Sequence, residues 1–148
     1  HSIPGGEISI INSIIDSNES FSNGGGIYSL GLVSLDGAQV NANSADDDGG
    51  GIYSADTLAM ILSDVNNNNS QRKGGGIYQT GMSGFLSMSR CNVLDNIAND
   101  ADAAYIEAGD ATITRSLMTG TSPINSDDGV FFLELGATLD MTRTTIEQ

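Results

Sequence analysis

The chain has 148 residues, of which 19 are acidic and five are lysine or arginine, so its formal net charge is −14. This excess of negative charge disfavours nucleic acids and anionic membranes as partners. A single cysteine excludes an internal disulfide, and the only histidine, His1, leaves no Ser-His-Asp triad or histidine-rich metal site to be built. The apolar runs are far too short for a membrane span, so none is expected in this segment.

A repeat of about 25 residues fills the first half of the chain, and an internal repeat of this length is typical of stacked-coil folds. The pentapeptide Gly-Gly-Gly-Ile-Tyr begins at Gly24, Gly49 and Gly74. Before each pentapeptide comes a pattern of two apolar residues, a small residue, a third apolar residue and an asparagine. Its copies are Ile8, Ile10, Ser13, Ile15 and Asn18; Val33, Leu35, Ala38, Val40 and Asn43; and Leu58, Met60, Ser63, Val65 and Asn68.

The second half keeps this pattern with changes in spacing. Leu86 to Asn96 follow their counterparts at a longer interval, because an insertion lengthens the stretch 79–84. We align residues 102–106 with the pentapeptide and residues 127–131 with the next copy. A last set of apolar residues, from Leu139 to Ile146, follows another insertion at 134–136. The chain thus contains five to six repeats of roughly 25–28 residues, a length within the range of solenoid repeats.

The short alternation of apolar and polar residues predicts strands, and no stretch sustains the spacing of a helix. We predict an all-β fold, a right-handed single-stranded parallel β-helix, with residues 1–148 as one domain that is a segment of a longer solenoid or a filament subunit. The right hand follows from the general preference of parallel crossovers. Stacked coils would bury the apolar positions as columns, and the repeated asparagines would form a hydrogen-bonded ladder at a turn. Cys91, in the column of small residues, is expected to be a packed wall residue and not a nucleophile.

The pairing of Gly-Gly-Gly-Ile with an apolar-x-x-Asn motif, as in Ile15 to Asn18, resembles the repeats of the polymorphic outer membrane proteins and related bacterial surface β-helices. In that family a GGA-I motif alternates with an F-x-x-N motif, so this chain has Gly in place of Ala and Ile or Val in place of Phe. The similarity covers residues 8–96 well and the remainder weakly. It implies a secreted or surface-displayed adhesive role, and it carries over no catalytic residue.

Acidic residues collect in the loop that precedes the motif. They are Asp46, Asp47, Asp48, Asp100, Asp102, Asp127 and Asp128. Our alignment places Asp102 and Asp127 at the same position of adjacent coils, about one strand spacing apart. The simplest interpretation is a set of solvated turn residues, with Asp48 paired to Lys73. The alternatives are a Ca²⁺ site formed by Asp100, Asp102, Asp127 and Asp128, which would be the only cofactor, or a pair of carboxylates acting on a glycan.

Two further columns are candidate ligand or interaction surfaces. Arg90, Arg115 and Arg143 share one position in three successive coils. Stacked like charges repel, so these arginines are expected either to pair with nearby carboxylates or to bind an acidic sugar. The other column is aromatic and is aligned as Tyr28, Tyr53, Tyr78, Ile106 and Phe131. Its rings would bind sugars or a protein partner, lie under a loop, or stack on one another.

Both ends of the repeat array lack an obvious cap for the apolar columns and the open strand edge. We therefore expect an extracellular or cell-surface structural and adhesive module, not an enzyme, that self-associates through its ends or continues into further coils, with a host surface or a glycan as partner. The competing prediction is a carbohydrate-active or glycan-binding β-helix, although the chain has few basic residues to bind acidic sugars. Ice binding needs a regular threonine array, which Thr112, Thr114, Thr138 and Thr142 do not form.

Overall fold

The computed structural model describes residues 1–120, 129–134 and 136–147. In this part of the chain every regular element is a β-strand, and there is no helix that is long and apolar enough to cross a membrane. The chain winds through about five coils of roughly 25 residues, each coil contributing one strand to each of three or four walls. The fold is therefore an all-β parallel solenoid, as the repeat predicts, whereas its right hand stays a prediction.

The strands are short, and they are numbered here in chain order. The first two coils contain β1 (Glu7–Ile11), β2 (Ile14–Asp16), β3 (Glu19–Ser20), β4 (Ile27–Ser29), β5 (Leu32–Asp36), β6 (Gln39–Asn41), β7 (Ser44–Ala45) and β8 (Ile52–Ser54). The next two contain β9 (Leu58–Ile61), β10 (Asp64–Asn66), β11 (Asn69–Ser70), β12 (Ile77–Gln79), β13 (Phe85–Ser89), β14 (Asn92–Asn96) and β15 (Ala104–Ile106). The remainder contains β16 (Asp110–Thr114), β17 (Leu117–Gly120), β18 (Phe131–Leu133), β19 (Thr138–Thr142) and β20 (Thr145–Glu147).

The strands assemble into four parallel sheets. Two sheets have six strands each, in the orders β1-β5-β9-β13-β16-β19 and β2-β6-β10-β14-β17-β20. The sheet that begins at the Gly-Gly-Gly-Ile-Tyr motif has five strands, β4-β8-β12-β15-β18, and the fourth is the small sheet β3-β7-β11. Each strand pairs with the equivalent strand of the next coil, so one coil is stacked directly on another.

The predicted apolar columns are confirmed by the strand register. Val33 pairs with Ile8 and Leu58, and Val40 pairs with Ile15 and Val65. Both columns continue through Leu86 and Val93 into the last coil, where Ala111 pairs with Leu139 and Met118 with Ile146. Residues in the inner coils are fully buried in these columns, because the coils above and below cover both sides of each side chain.

The asparagine ladder is also confirmed. The side-chain oxygen of Asn43 accepts hydrogen bonds from the backbone amide and the side-chain amide of Asn18, at 3.0 and 2.8 Å. Asn68 accepts the same pair of bonds from Asn43 at 2.9 and 3.0 Å, and Asn96 accepts them from Asn68 at 2.9 and 3.0 Å. Asn43, Asn68 and Asn96 are buried, so the ladder satisfies polar groups inside the turn that water does not reach.

The glycine triplets serve two different purposes. The first glycine of each triplet has a positive φ, 66° at Gly24, 70° at Gly49 and 62° at Gly74, which a residue with a Cβ adopts only at a cost. The second glycine instead allows close contact between coils, since a Cβ at Gly50 would collide with backbone atoms of Asn69 and Gly75. The triplets are therefore part of the wall.

Candidate functional surfaces

A continuous stack of aromatic rings runs along one side of the solenoid. Tyr28, Tyr53 and Tyr78 stack as the repeat predicts, with ring centroids 5.0 and 5.2 Å apart. His1 extends the stack at one end at 4.9 Å. At the other end Tyr105 lies 5.7 Å from Tyr78, and Phe132 lies 4.8 Å from Tyr105. The six rings form one aromatic ladder, which is one of the three arrangements expected for this column.

The alignment of the ladder beyond Tyr78 was wrong. Ile106 and Phe131 were expected to continue it, but Tyr105 pairs with Tyr78 and Phe132 pairs with Tyr105. Two changes of spacing are responsible. Phe132 follows Tyr105 by 27 residues and not by the 25 that separate Ile106 from Phe131, so the coil between them is longer than expected. The change at Tyr105 comes from a loop that is one residue shorter. The bridges join Asn69 to Ile97 and Lys73 to Asp100, so the segment 97–100 lies opposite the longer segment 69–73. The register changes within this loop, where no motif marks the deletion.

Burial limits the use of the ladder as a ligand surface. Tyr78 and Tyr105 are only 4% exposed, whereas Tyr28 and Tyr53 are half-buried and Phe132 is 42% exposed. A sugar or protein partner would therefore contact the ends of the ladder and not its middle. The prediction of a ligand surface at Tyr28 and Tyr53 stays open, and the middle of the column contributes packing instead.

A polar network covers the hydroxyl ends of the buried tyrosines, and the sequence interpretation missed it. The Tyr105 hydroxyl donates to the Glu134 carboxylate and accepts a 2.9 Å bond from Lys73 Nζ, which also lies 3.6 Å from Glu134. The Tyr78 hydroxyl bonds Glu107. The sequence does contain a signal for this network, since Glu107 and Glu134 each directly follow a strand, and those strands pair Ile106 with Leu133. The incorrect alignment beyond Tyr78 prevented the two glutamates from being matched.

This network shifts the pKa values of its members in a consistent way. Burial raises the pKa of Tyr78 well above its ordinary value, and the hydrogen bond to Glu107 raises it further. The pKa of Glu107 is lowered, first by the hydrogen bond that Thr80 donates at 2.7 Å and then by the bond from Tyr78. Partial burial lowers the pKa of Lys73, but the Tyr105 bond and the nearby carboxylates outweigh it, so the pKa is raised. The tyrosines stay neutral and Glu107 and Lys73 stay charged, which is suited to holding the wall together and not to proton transfer.

The acidic loop at residues 46–48 is paired differently from the prediction. Asp47 and Asp48 lie 3.6 and 3.7 Å from the guanidinium of Arg72. Lys73, the expected partner of Asp48, directs its ammonium group to Tyr105 and Glu134 instead. Arg72 pairs with Asp48 in place of Lys73 because neighbouring side chains of an extended segment point to opposite sides. Burial raises the pKa of Asp48 despite the charge of Arg72 beside it.

The expected calcium ligands are only partly within the described chain. Asp127 and Asp128 lie outside the described residues. Asp102 is buried, and its side chain accepts a 2.9 Å bond from the amide of Ala98. Its backbone amide donates to the Gly129 carbonyl, so the prediction that Asp102 lies opposite Asp127 was wrong, because the coil that follows Asp102 is longer than expected. Asp100 is half-buried, and no group of three or more potential metal ligands occurs among the described side chains.

Arg90, Arg115 and Arg143 form the column that the repeat predicts. Each follows a strand of the first six-stranded sheet, and the strand ends Ser89, Thr114 and Thr142 pair in register. All three arginines are exposed. Pairing with carboxylates, one of the two expectations for these arginines, is not found in residues 1–120, 129–134 and 136–147, where the only ion pairs involve Arg72 and Lys73.

No protein-family model, curated protein or solved structure matches the chain.

Cys91 is a fully buried wall residue, as expected from the column of small residues. Its amide donates to the Ser116 hydroxyl at 3.1 Å, and its thiol contacts the Ser89 carbonyl at 3.4 Å. Burial raises the pKa of the thiol, so the nucleophilic thiolate is disfavoured. The candidate interaction surfaces that the repeat predicts are therefore the two solenoid ends, the arginine column and the exposed parts of the aromatic ladder.

Proposed function

We propose that this chain is a non-catalytic structural and adhesive module that acts outside the cell and stacks end to end with further copies of itself. Its motifs support this role through their resemblance to polymorphic outer membrane proteins and related bacterial surface β-helices. The repeated residues engage in packing or in bonds between coils, and the described acidic and phenolic groups near the aromatic ladder are engaged with one another. Such an interior serves as a scaffold.

The observation that carries the proposal is the incomplete cover of both end coils. Val40 is 0% exposed in the second coil, whereas Leu139 is 36% and Ile146 is 40% exposed in the last described coil. At the opposite end Ile8 and Ile15 are only half-buried. These residues continue the same two columns, so an added coil would bury them and pair the open strand edges of β1, β2, β19 and β20.

The two ends carry the same two apolar columns, and the register that joins them also places Glu147 of one copy beside Asp16 of the next. If a second copy stacked head to tail, Leu139 would meet Ile8 and Ile146 would meet Ile15, which restores both columns. At the first coil, Asn18 donates along the ladder to Asn43, and its own side-chain oxygen has no donor among the described residues. A preceding coil would supply that donor.

Sedimentation velocity of this chain over a wide range of concentrations tests the proposal. We expect mass to rise with concentration, and more strongly at high salt, because screening weakens repulsion between molecules of net charge −14. Ile146→Lys should abolish this assembly, since it places a charge in the apolar contact. Leu62→Lys is the matched control, because Leu62 is 55% exposed on the side wall. A single compact monomer at every concentration, or equal loss in both variants, would refute assembly through the ends.

A further inference from the structure

We propose that Arg90, Arg115 and Arg143 form a binding site for one chain of an anionic polysaccharide that carries carboxylate or sulfate groups. The site lies on the side wall of the solenoid and is separate from its ends. It deepens the adhesive part of the proposed function by naming a partner class, and its test does not depend on end-to-end assembly.

The arginines are unusual because the described part of the chain offers them no ion-pair partner. The chain has five lysines and arginines, and the other two, Arg72 and Lys73, both form ion pairs with carboxylates. With 19 acidic residues available, three arginines in one column have no such pair in the described chain. The positions that flank them hold neutral side chains, namely Ser89, Thr114 and Thr142 before the arginines and Cys91, Ser116 and Thr144 after them.

The fold itself does not require arginine at this turn. The equivalent turn positions in the first three coils are Asn12, Gly37 and Leu62, all with positive φ like the arginines. Asparagine and glycine adopt this conformation more easily than arginine does. Three successive coils therefore place a long cationic side chain where a smaller, neutral one completes the turn equally well. The repulsion between stacked guanidinium groups adds to this cost, and an anion between them would remove it.

The surface between two of the arginines is concave. A shallow cleft is lined by Arg115 and Arg143 together with Thr114 and Thr142. A guanidinium group offers a fork of N–H donors that matches a carboxylate or sulfate, and the Thr142 hydroxyl is a further donor group. The Thr114 hydroxyl already donates to the Met88 carbonyl at 3.3 Å. The cleft is open at the surface, so a group that projects from a polymer can enter it.

The spacing of the column favours a polymer over a single ion. Adjacent strands lie about 4.8 Å apart, so Arg90 and Arg143 are separated by roughly twice that distance along the solenoid. A thin chain with one charge on each sugar, or on alternate sugars, can present its anionic groups to this row. Duplex DNA carries one charge for about every 1.7 Å of its axis and would bring its phosphates against the acidic walls of the molecule as well. The net charge of −14 therefore favours the polysaccharide.

The test uses two variants with the same change in charge. Arg115→Asn removes the central arginine and introduces the residue that the first coil uses at Asn12, so the turn is retained. Arg72→Asn removes a basic residue outside the column. Isothermal titration calorimetry would measure binding of dextran sulfate and of polygalacturonate, with uncharged dextran, inorganic sulfate and a DNA duplex as comparison ligands.

We expect at least one of the two anionic polysaccharides to bind, and Arg115→Asn to weaken that binding about tenfold or more. Arg72→Asn should change it by less than about twofold. The slope of log K against log salt should also fall in magnitude by about one in Arg115→Asn. Binding of polygalacturonate would identify carboxylate as the recognised group, and binding of dextran sulfate would identify sulfate. The proposal is overturned if neither polysaccharide binds at low salt, if both variants weaken binding equally, or if DNA or free sulfate binds as tightly.

Discussion

The asparagine ladder offers the sharpest test of how the coils are held together. Asn68→Ala would remove a buried side chain that donates to Val40 and Asn96 and accepts two bonds from Asn43. Two buried donors of Asn43 would lose their acceptor, at about 1 to 3 kcal/mol each. The oxygen of Asn96 would keep the bond from the backbone amide of residue 68. We therefore expect the free energy of unfolding to fall by roughly 3 to 5 kcal/mol.

Asn18→Ala is the matched control at the end of the same ladder. The Asn18 side chain is exposed and donates to Asp16 and Asn43, but it accepts no bond from a preceding coil among the described residues. Its removal should cost about 1 kcal/mol, because no buried donor is left without an acceptor. Both variants remove the same side chain, so the difference between their free energies of unfolding measures the effect of burying the asparagine in the ladder.

Urea unfolding followed by circular dichroism measures both variants. Stacked repeats often unfold in parts, so hydrogen exchange at the Asn43 amide gives a local readout of the same bond. That amide should exchange much faster in Asn68→Ala than in the parent chain or in Asn18→Ala. If both substitutions cost the same, or if the Asn43 amide stays protected in Asn68→Ala, the ladder does not have the role assigned to it.

Three other predictions concern the packing and the buried tyrosines. Gly50→Ala should lower the free energy of unfolding by about 1 to 3 kcal/mol, because the added Cβ collides with the next coil. Gly129→Ala is the control, since the nearest atom to its added Cβ is 3.4 Å away, and it should change the free energy of unfolding by no more than about 0.5 kcal/mol in the same urea assay. The pKa values of Tyr53, Tyr78 and Tyr105 are raised from 10.0 in the folded protein, so the unfolded state releases its protons first. The stability of the fold should be retained below pH 10 and should decline as the pH rises above it. Urea unfolding midpoints measured across that pH range check this prediction. In Tyr78→Phe the decline should be weaker, because one of the buried phenols is absent. Cys91 should not react with a thiol reagent in the native state and should react fully in urea; rapid native labelling would contradict its burial.

The regular part of the fold was predictable because the repeat records which side chains face the interior. Val33, Val40 and Asn43 recur every 25 residues, and only direct stacking of coils brings equivalent positions together at each turn. The insertion at 79–84 did not obscure this, because the apolar pattern resumes clearly at Leu86. A repeated pattern averages over several copies, so one changed residue does not alter the assignment.

The candidate surfaces were less predictable, since they depend on loops where the pattern lapses. The loop between Ile97 and Asp100 is one residue shorter than its counterpart, and nothing in its composition shows the deletion. Tyr105 was therefore placed beside the ladder instead of in it. Asp102 was matched to Asp127 for a different reason, because the coil that follows Asp102 is longer than the repeat predicts. The partner of Asp48 was also missed, because a choice between Arg72 and Lys73 depends on side-chain direction.

The sequence by itself determined the parallel solenoid, the two apolar columns, the asparagine ladder and the column of three arginines, because all of these follow from the period of the repeat. Only the tertiary structure decided which charges are paired. It showed that Lys73 is held by Tyr105 and Glu134, that Arg72 is held by Asp47 and Asp48, and that the arginine column lacks ion-pair partners among the described residues. Pairing depends on distances of a few ångströms between side chains far apart in the chain, which a repeat period does not specify.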